Sequence, residues 1–124
     1  MDTSIALVAM AAPERLSAAA LKAVNAGPHV LSVLTYWEVI LKSASGKLDV
    51  GDPRVWWETA LADFAATALP LSSSHVTEIH HLAAIHRDPV DRGLIAQATV
   101  EDLTLVTTDE TITRYTSGNL RIIR

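Results

Sequence analysis

The stretch HVLSVLTYWEVILKSASG, residues 29–46, decides the fold of this 124-residue chain. Its first part, residues 29–35, is rich in Val, Leu and Thr, which favour a buried strand. Its second part, residues 36–45, places apolar side chains at helical spacing and ends near Gly46, which predicts a helix directly after the strand. A strand followed by a helix is the repeating unit of α/β proteins, so we expect a parallel sheet.

The same alternation of strands and helices continues towards the C-terminus. Asp and Ser cap free backbone N–H groups, and helices are therefore predicted from Asp52-Pro53, from the serines at 72–74 to about residue 84, from Asp88-Pro89, and over residues 109–115. Short strands are predicted over residues 66–71, 103–107 and 120–123. The pattern predicts an α/β fold in which helices flank a short, mostly parallel sheet.

Composition limits the class of protein. A chain of 124 residues that is 49% hydrophobic predicts one domain over residues 1–124. The absence of cysteine excludes disulfides and thiolate metal sites and suits a cytoplasmic protein. The apolar runs are too short to span a membrane, so no membrane contact is expected. A net charge of −4 argues against a global electrostatic attraction to nucleic acid but permits a local cluster of acids.

The run HRDPVDRGLIAQA, residues 86–98, places two aspartates at the start of a predicted helix. Asp88 precedes Pro89, the usual arrangement of a capping residue and a first helical residue. Asp91 falls at the third helical position, where a carboxylate can reach back to the cap or interact with the helix dipole. Asp91 is therefore either a structural acid or a functional one, and its position alone does not decide between them.

Four acids are predicted to meet where the strands end. Asp109 follows the strand at 103–107, Glu38 and Asp91 lie in the first turns of helices, and Asp2 stands ahead of an apolar segment. In open parallel sheets, ligands bind beyond the carboxyl ends of the strands. Four gathered carboxylates repel one another unless a cation is bound. Carboxylates without soft ligands favour Mg²⁺ or Mn²⁺.

These residues carry a family resemblance from Asp2 to the last strand. The pieces are Asp2-Thr3, Trp37-Glu38 with Lys42, Gly46-Lys47-Leu48, the run at 86–98, and LVTTD at 105–109. In this order they resemble PIN-domain ribonucleases, specifically VapC-type toxins of toxin–antitoxin pairs. The resemblance implies a PIN-like three-layer fold, a metal-binding and catalytic quartet of Asp2, Glu38, Asp91 and Asp109, and metal-dependent cleavage of RNA. It also implies that Asp88 starts the helix while Asp91 points into the site.

The resemblance further implies partners for this chain. It predicts an antitoxin that occupies the acidic groove, and self-association as a homodimer, for which the apolar first half of the chain offers helix faces. The N-terminus departs from the family, in which an apolar strand precedes the first aspartate, because only Met1 precedes Asp2 here. We therefore expect either a truncated N-terminal strand or a different arrangement of residues 5–10.

Two other classes of function remain open at the level of sequence. The first is a PIN-fold module that binds a partner but cleaves RNA weakly, because its N-terminal strand is short. The second is a phosphatase or phospho-acceptor protein of another α/β family, which would require an aspartate nucleophile after a hydrophobic strand. Metal-dependent cleavage of single-stranded RNA separates the nuclease from both.

Several neighbours of the acids have two possible roles. Lys42 can hold an RNA phosphate or pair with Glu38 across one helical turn. Arg87 and Arg92 can likewise contact RNA or remain solvated. The hydroxyl side chains near the predicted site can orient phosphate or water, or can serve only the local fold; they are Thr3, Ser4, Thr107 and Thr108.

Overall fold

The computed structural model describes residues 1–82, 84, 87–114 and 120–124. The first half contains α1 (Thr3–Ala11), a 3-10 turn (Pro13–Arg15), α2 (Ala18–Asn25), β1 (His29–Ser32), α3 (Val33–Ala44) and α4 (Pro53–Asp63). The second half contains β2 (Ala66–Leu69), α5 (Ser73–His81), α6 (Pro89–Val100), β3 (Thr104–Val106), α7 (Glu110–Thr113) and β4 (Arg121–Ile123). The alternation of strands and helices that the sequence predicts is confirmed.

The predicted strand over residues 29–35 was too long. Strand β1 ends at Ser32, whose side chain accepts a hydrogen bond from the Leu34 backbone N–H (3.0 Å) and so starts α3 three residues earlier than predicted. A capping serine offers the backbone a local hydrogen bond, and here this outweighs the strand preference of the following residues.

The other helix starts agree with their capping residues. Asp52, Ser72 and Asp88 each accept a backbone hydrogen bond at the start of α4, α5 and α6. Helix α5 ends at His81, short of the predicted end near residue 84. Helix α7 covers only Glu110–Thr113, and the predicted end at residue 115 lies outside the described residues.

The N-terminal segment enters a helix directly, and a truncated N-terminal strand stays a prediction. Residues 5–10 lie within α1, and Asp2 is its capping residue. The backbone N–H of Asp2 donates to the Val106 carbonyl (2.9 Å), so Met1 and Asp2 lie beside the end of β3.

The strands form two parallel pairs. Strand β1 pairs with β2, and β3 pairs with β4, so the predicted parallel arrangement is confirmed. Within the described residues, however, these pairs are two separate two-stranded sheets. A cleft of about 230 Å³ is lined by β1, β3 and α6, with Met1 among its lining residues. The hydrogen bond from the Asp2 N–H to the Val106 carbonyl is a single bond beside β3, and it does not join the two pairs into one sheet.

The core is built mainly from helix faces that cover these strands. Its largest cluster surrounds Ile5 and Leu31 and includes Trp56, Trp57 and Phe64 from the α4 region. Tyr36 of α3 stacks on Trp57 with ring centroids 4.9 Å apart, which fixes α3 against α4. Among the described residues, no helix has both the length and the apolar character needed to cross a membrane.

Candidate active site

One pocket collects the acids that the sequence singles out. It has a volume of about 250 Å³, and its lining includes all four predicted site residues: Asp2, Glu38, Asp91 and Asp109. The lining is completed by a fifth acid, a lysine and three hydroxyl side chains: Asp88, Lys42, Thr3, Ser4 and Thr108. The pocket is therefore dominated by hard oxygen donors with one basic group at its edge.

Three of the acids lie in the pocket because they start helices. Asp2 Oδ1 accepts from the Ile5 N–H (2.9 Å), and Asp109 Oδ1 accepts from the Thr111 N–H (2.8 Å). Asp88 caps α6 in the same way. The amino ends of α1, α6 and α7 thus meet at the pocket, and their partial positive charge stabilises carboxylates there.

The two aspartates of the run at 86–98 have different positions. Asp88 Oδ1 accepts from the N–H groups of Val90 (2.8 Å) and Asp91 (3.2 Å), which confirms Asp88 as the predicted cap. Asp91 lies one turn further along α6 and is half-buried at the pocket wall. Its placement agrees with the prediction that Asp91 faces the site, whereas its chemical role is a separate question.

Asp2 is the most enclosed carboxylate of the pocket, with 4% of its surface exposed. Burial raises the pKa of Asp2, and the charge of nearby Asp109 acts in the same direction. Hydrogen bonds from the Thr107 hydroxyl and the Ile5 N–H partly offset this by stabilising the ionised form. The folded protein therefore holds a proton on Asp2 more readily than an exposed aspartate does.

Thr107 connects two acids of the pocket through one hydroxyl. This fully buried side chain donates to Asp2 Oδ2 and accepts from the Asp109 N–H (3.0 Å). The sequence left Thr107 as either a strand former or an orienting residue, and these contacts show that it bonds to the Asp2 carboxylate and to the backbone of Asp109. The available signal was a threonine two residues ahead of an aspartate at a strand end, where hydroxyls bond to nearby backbone.

Thr35 was missed as a site-supporting residue because the sequence assigned it to a strand. It lies in the first turn of α3, is fully buried, and accepts a hydrogen bond from the Thr3 hydroxyl (3.2 Å). This contact holds the start of α1 against α3. It thereby links the helices that carry Asp2 and Glu38.

Helices α3 and α6 approach closely beside the pocket. A Cβ atom added at Gly93 would lie 2.4 Å from Leu34 Cδ1, so the absence of a side chain at this position permits the approach. Glu38 is on α3 and Asp91 is on α6, and the packing of these helices brings both carboxylates to one pocket.

The basic residues show contacts within the protein or exposure to solvent, and their contact with RNA stays a prediction. Lys42 Nζ lies 4.0 Å from Glu38 Oε1, at ion-pair distance across one helical turn. Arg92 donates to the Ile79 carbonyl (3.1 Å), and Arg87 is exposed. In the described part of the chain, no three His, Asp or Glu side chains are close enough to form a ready metal cage.

Comparison with known proteins agrees with this architecture. The sequence matches the PIN domain family over residues 1–117. The fold is similar to a chain in the crystal structure of VapBC2 from Rickettsia felis bound to a DNA fragment from its promoter, with a TM-score of 0.69 and 14% sequence identity. The match covers 98% of this chain and 93% of that chain. No curated protein matches the sequence.

Proposed function

Since the chain belongs to the PIN domain family, we propose that it is a metal-dependent endoribonuclease and the toxin of a VapC-type toxin–antitoxin pair. The observation that carries the proposal is the pocket in which Asp2, Glu38, Asp91 and Asp109 meet. These acids come from distant parts of the sequence, and the fold brings them to one 250 Å³ pocket whose lining is almost entirely polar. Four carboxylates in one pocket can bind a divalent cation beside a phosphate.

The pocket residues fit a Mg²⁺ or Mn²⁺ ion by their chemistry. Carboxylates and hydroxyls are the hard donors that these ions prefer, and Mg²⁺ is commonly held by one or two carboxylates while it keeps several waters.

The chain's own residues have distinct tasks in this proposal. One or two of Glu38, Asp91 and Asp109 would hold the ion directly, and the others, together with Asp2, would hold it through water. When bound, the ion screens the phosphate charge and lowers the pKa of a water molecule. Thr107 holds the Asp2 carboxylate and the backbone of Asp109, and Lys42 at the pocket edge attracts the RNA phosphate.

The test is RNA cleavage by isosteric variants. Asp91→Asn and Asp109→Asn each remove one negative charge and keep the side-chain shape, so we expect metal-dependent cleavage of single-stranded RNA to be lost while the circular dichroism spectrum stays native. Glu14→Gln removes an exposed acid far from the pocket and serves as the matched control. Full activity of either pocket variant would refute the assignment of the active site.

We further propose that the protein binds a cognate antitoxin, forms a homodimer and acts in the cytoplasm. Helix α3 exposes Trp37 (50%) and Leu41 (49%), which are large apolar side chains of the kind enriched at protein interfaces. The solved relative, VapBC2, is itself a complex. Light scattering and pull-down with a co-expressed antitoxin would test this proposal, and a monomer that ignores the antitoxin would contradict it.

A second candidate function is a PIN-fold module that binds its partner and cleaves weakly. The observation that favours it is the state of Asp2, whose Oδ1 caps α1 and whose Oδ2 accepts from Thr107. A carboxylate that is buried, that already accepts hydrogen bonds on both oxygens, and that holds a proton more readily is a poorer metal ligand. Antitoxin binding without measurable metal-dependent cleavage would support this alternative.

A further inference from the structure

A chain of buried hydrogen bonds lies next to the acidic pocket but outside its lining. Gln97 of α6 is 2% exposed, and Ser32 at the end of β1 is 5% exposed. Ser32 Oγ donates to Gln97 Oε1 (2.5 Å) and accepts from the Leu34 N–H (3.0 Å). The residue that starts α3 is therefore bonded directly to the middle of α6.

The orientation of the Gln97 amide is set from its other side. Its Nε2 donates to the Pro70 carbonyl (3.4 Å), which can only accept, so its Oε1 must face the serine hydroxyl. The same Nε2 lies 3.4 Å from His75 Nδ1, and that nitrogen accepts from the Ser72 N–H (3.0 Å). His75 Nε2 therefore carries the proton and donates to Glu101 (2.8 Å). The amide is thus held by β1, by the segment after β2, and by α5.

Helices α3 and α6 run antiparallel where they contact each other, because the residue numbers of the contacts rise along α3 and fall along α6. Ser32 meets Gln97 at one end, Leu34 packs at Gly93 in the middle, and Glu38 and Asp91 line the pocket at the other end. From the Ser32–Gln97 bond, each acid is six residues away, which is about 9 Å along a helix. A shift of one helix relative to the other at this bond would change the spacing of the two carboxylates.

We propose that Gln97 is a positioning residue for the divalent ion: its bond to Ser32 sets the register between α3 and α6 and thereby the spacing of Glu38 and Asp91. This inference rests on the proposed metal-dependent function. The contact of Leu34 with Gly93 brings the helices together and limits their sliding. The Ser32–Gln97 hydrogen bond requires a narrow distance and angle, and it therefore fixes the register more tightly.

The test is the affinity of the intact protein for Mn²⁺, measured by isothermal titration calorimetry without RNA. Gln97→Leu keeps a buried side chain of similar size and removes the bond. We expect it to weaken Mn²⁺ binding by about 10–100-fold, the usual effect of losing a partner that orients metal ligands. Ser32→Ala removes the bond from the other side together with the cap of α3, and it should weaken binding at least as much. Ser32→Thr keeps the hydroxyl for both bonds and should restore binding.

A purely structural role is separated from a positioning role by two controls. Glu101→Ala removes the His75 partner at the far end of the chain of hydrogen bonds and leaves the Ser32–Gln97 bond, so it should lower the melting temperature without changing Mn²⁺ affinity. In a Glu38→Gln background, Gln97→Leu should cause little further loss, since the ligand it positions has already been altered.

The outcomes distinguish this inference from the proposed function. Wild-type protein that binds no Mn²⁺ would overturn both. Wild-type protein that binds Mn²⁺ while folded Gln97→Leu and Ser32→Ala bind it equally well would overturn the positioning role alone. Weaker binding in both variants, restored in Ser32→Thr, would support it.

Discussion

Asp88 and Asp91 can be separated by one pair of substitutions, because in the part of the chain that the structure describes Asp88 supplies the capping bonds of α6. In Asp88→Ala the N–H groups of Val90 and Asp91 lose their shared acceptor. Loss of such a cap costs about 0.5–2 kcal/mol of unfolding free energy. For 124 residues the entropy of unfolding is about 0.26 kcal/mol per kelvin. We therefore expect the melting temperature of metal-free Asp88→Ala to fall by about 2–8 °C.

The rise in melting temperature on addition of Mn²⁺ should distinguish the two variants. An ion at one hundred times its dissociation constant stabilises the folded protein by about 2.7 kcal/mol, which is a rise of about 10 °C with the same entropy. Asp88→Ala should keep most of this rise from its lower baseline. Asp91→Asn should lose most of it, because it removes a proposed ligand and leaves the cap in place.

The assay is a thermal melt monitored by circular dichroism across a Mn²⁺ titration, with a chelator-treated sample as the reference. An Asp88→Ala protein that melts like the wild type but no longer responds to Mn²⁺ would reverse the roles assigned to the two aspartates. If neither wild type nor variants respond to Mn²⁺, there is no basis for a metal site in this pocket.

Three further predictions concern the surroundings of the pocket. Because the folded pKa of Asp2 is raised, its contribution to stability is present below the ordinary pKa of an aspartate and is lost as the pH rises through the raised value. The unfolding free energy of Asp2→Asn, measured with urea in the presence of chelator, should therefore fall less over that pH range than that of the wild type. Parallel pH curves for the two proteins would contradict this. Gly93→Ala should lower the unfolding free energy by about 1–3 kcal/mol, because the new methyl group displaces Leu34; an unchanged denaturation midpoint would show that α3 and α6 are not closely packed there. An apolar, β-branched segment of about five residues added ahead of Met1 should pair as a strand in the cleft between β1 and β3. It should therefore raise both the melting temperature and the Mn²⁺ affinity. A Gly/Ser segment of equal length should raise neither.

Local chemistry explains what could be predicted from the sequence. The helices that begin at Asp52 and Asp88 were predicted because a capping acid followed by proline acts within a few residues. The meeting of the four acids was predicted from their positions after strands and at helix starts, together with the family resemblance. The error at Ser32 is also local, because the sequence pattern gave its capping hydroxyl less weight than the β-branched residues that follow.

Contacts between distant residues explain what could not be predicted. Asp2, which caps α1, is also bonded to Val106 and Thr107, more than one hundred positions away. The hydrogen bonds of Gln97 join residues that no periodic pattern relates, since they depend on how α3, α5 and α6 pack. Buried polar partners of this kind become visible only when the tertiary structure is known.

The bond between Asp2 and Thr107 joins residues 105 positions apart, and this separation has a consequence for protein synthesis. Ribosomes add about 5–20 residues per second, so Asp2 waits about 5–20 s for the residue that holds it. A chain that has reached only its middle carries Asp2 and Glu38 but lacks Asp91, Thr107 and Asp109. Such a chain contains no complete acidic pocket, and the pocket can first form after Asp109 has been added.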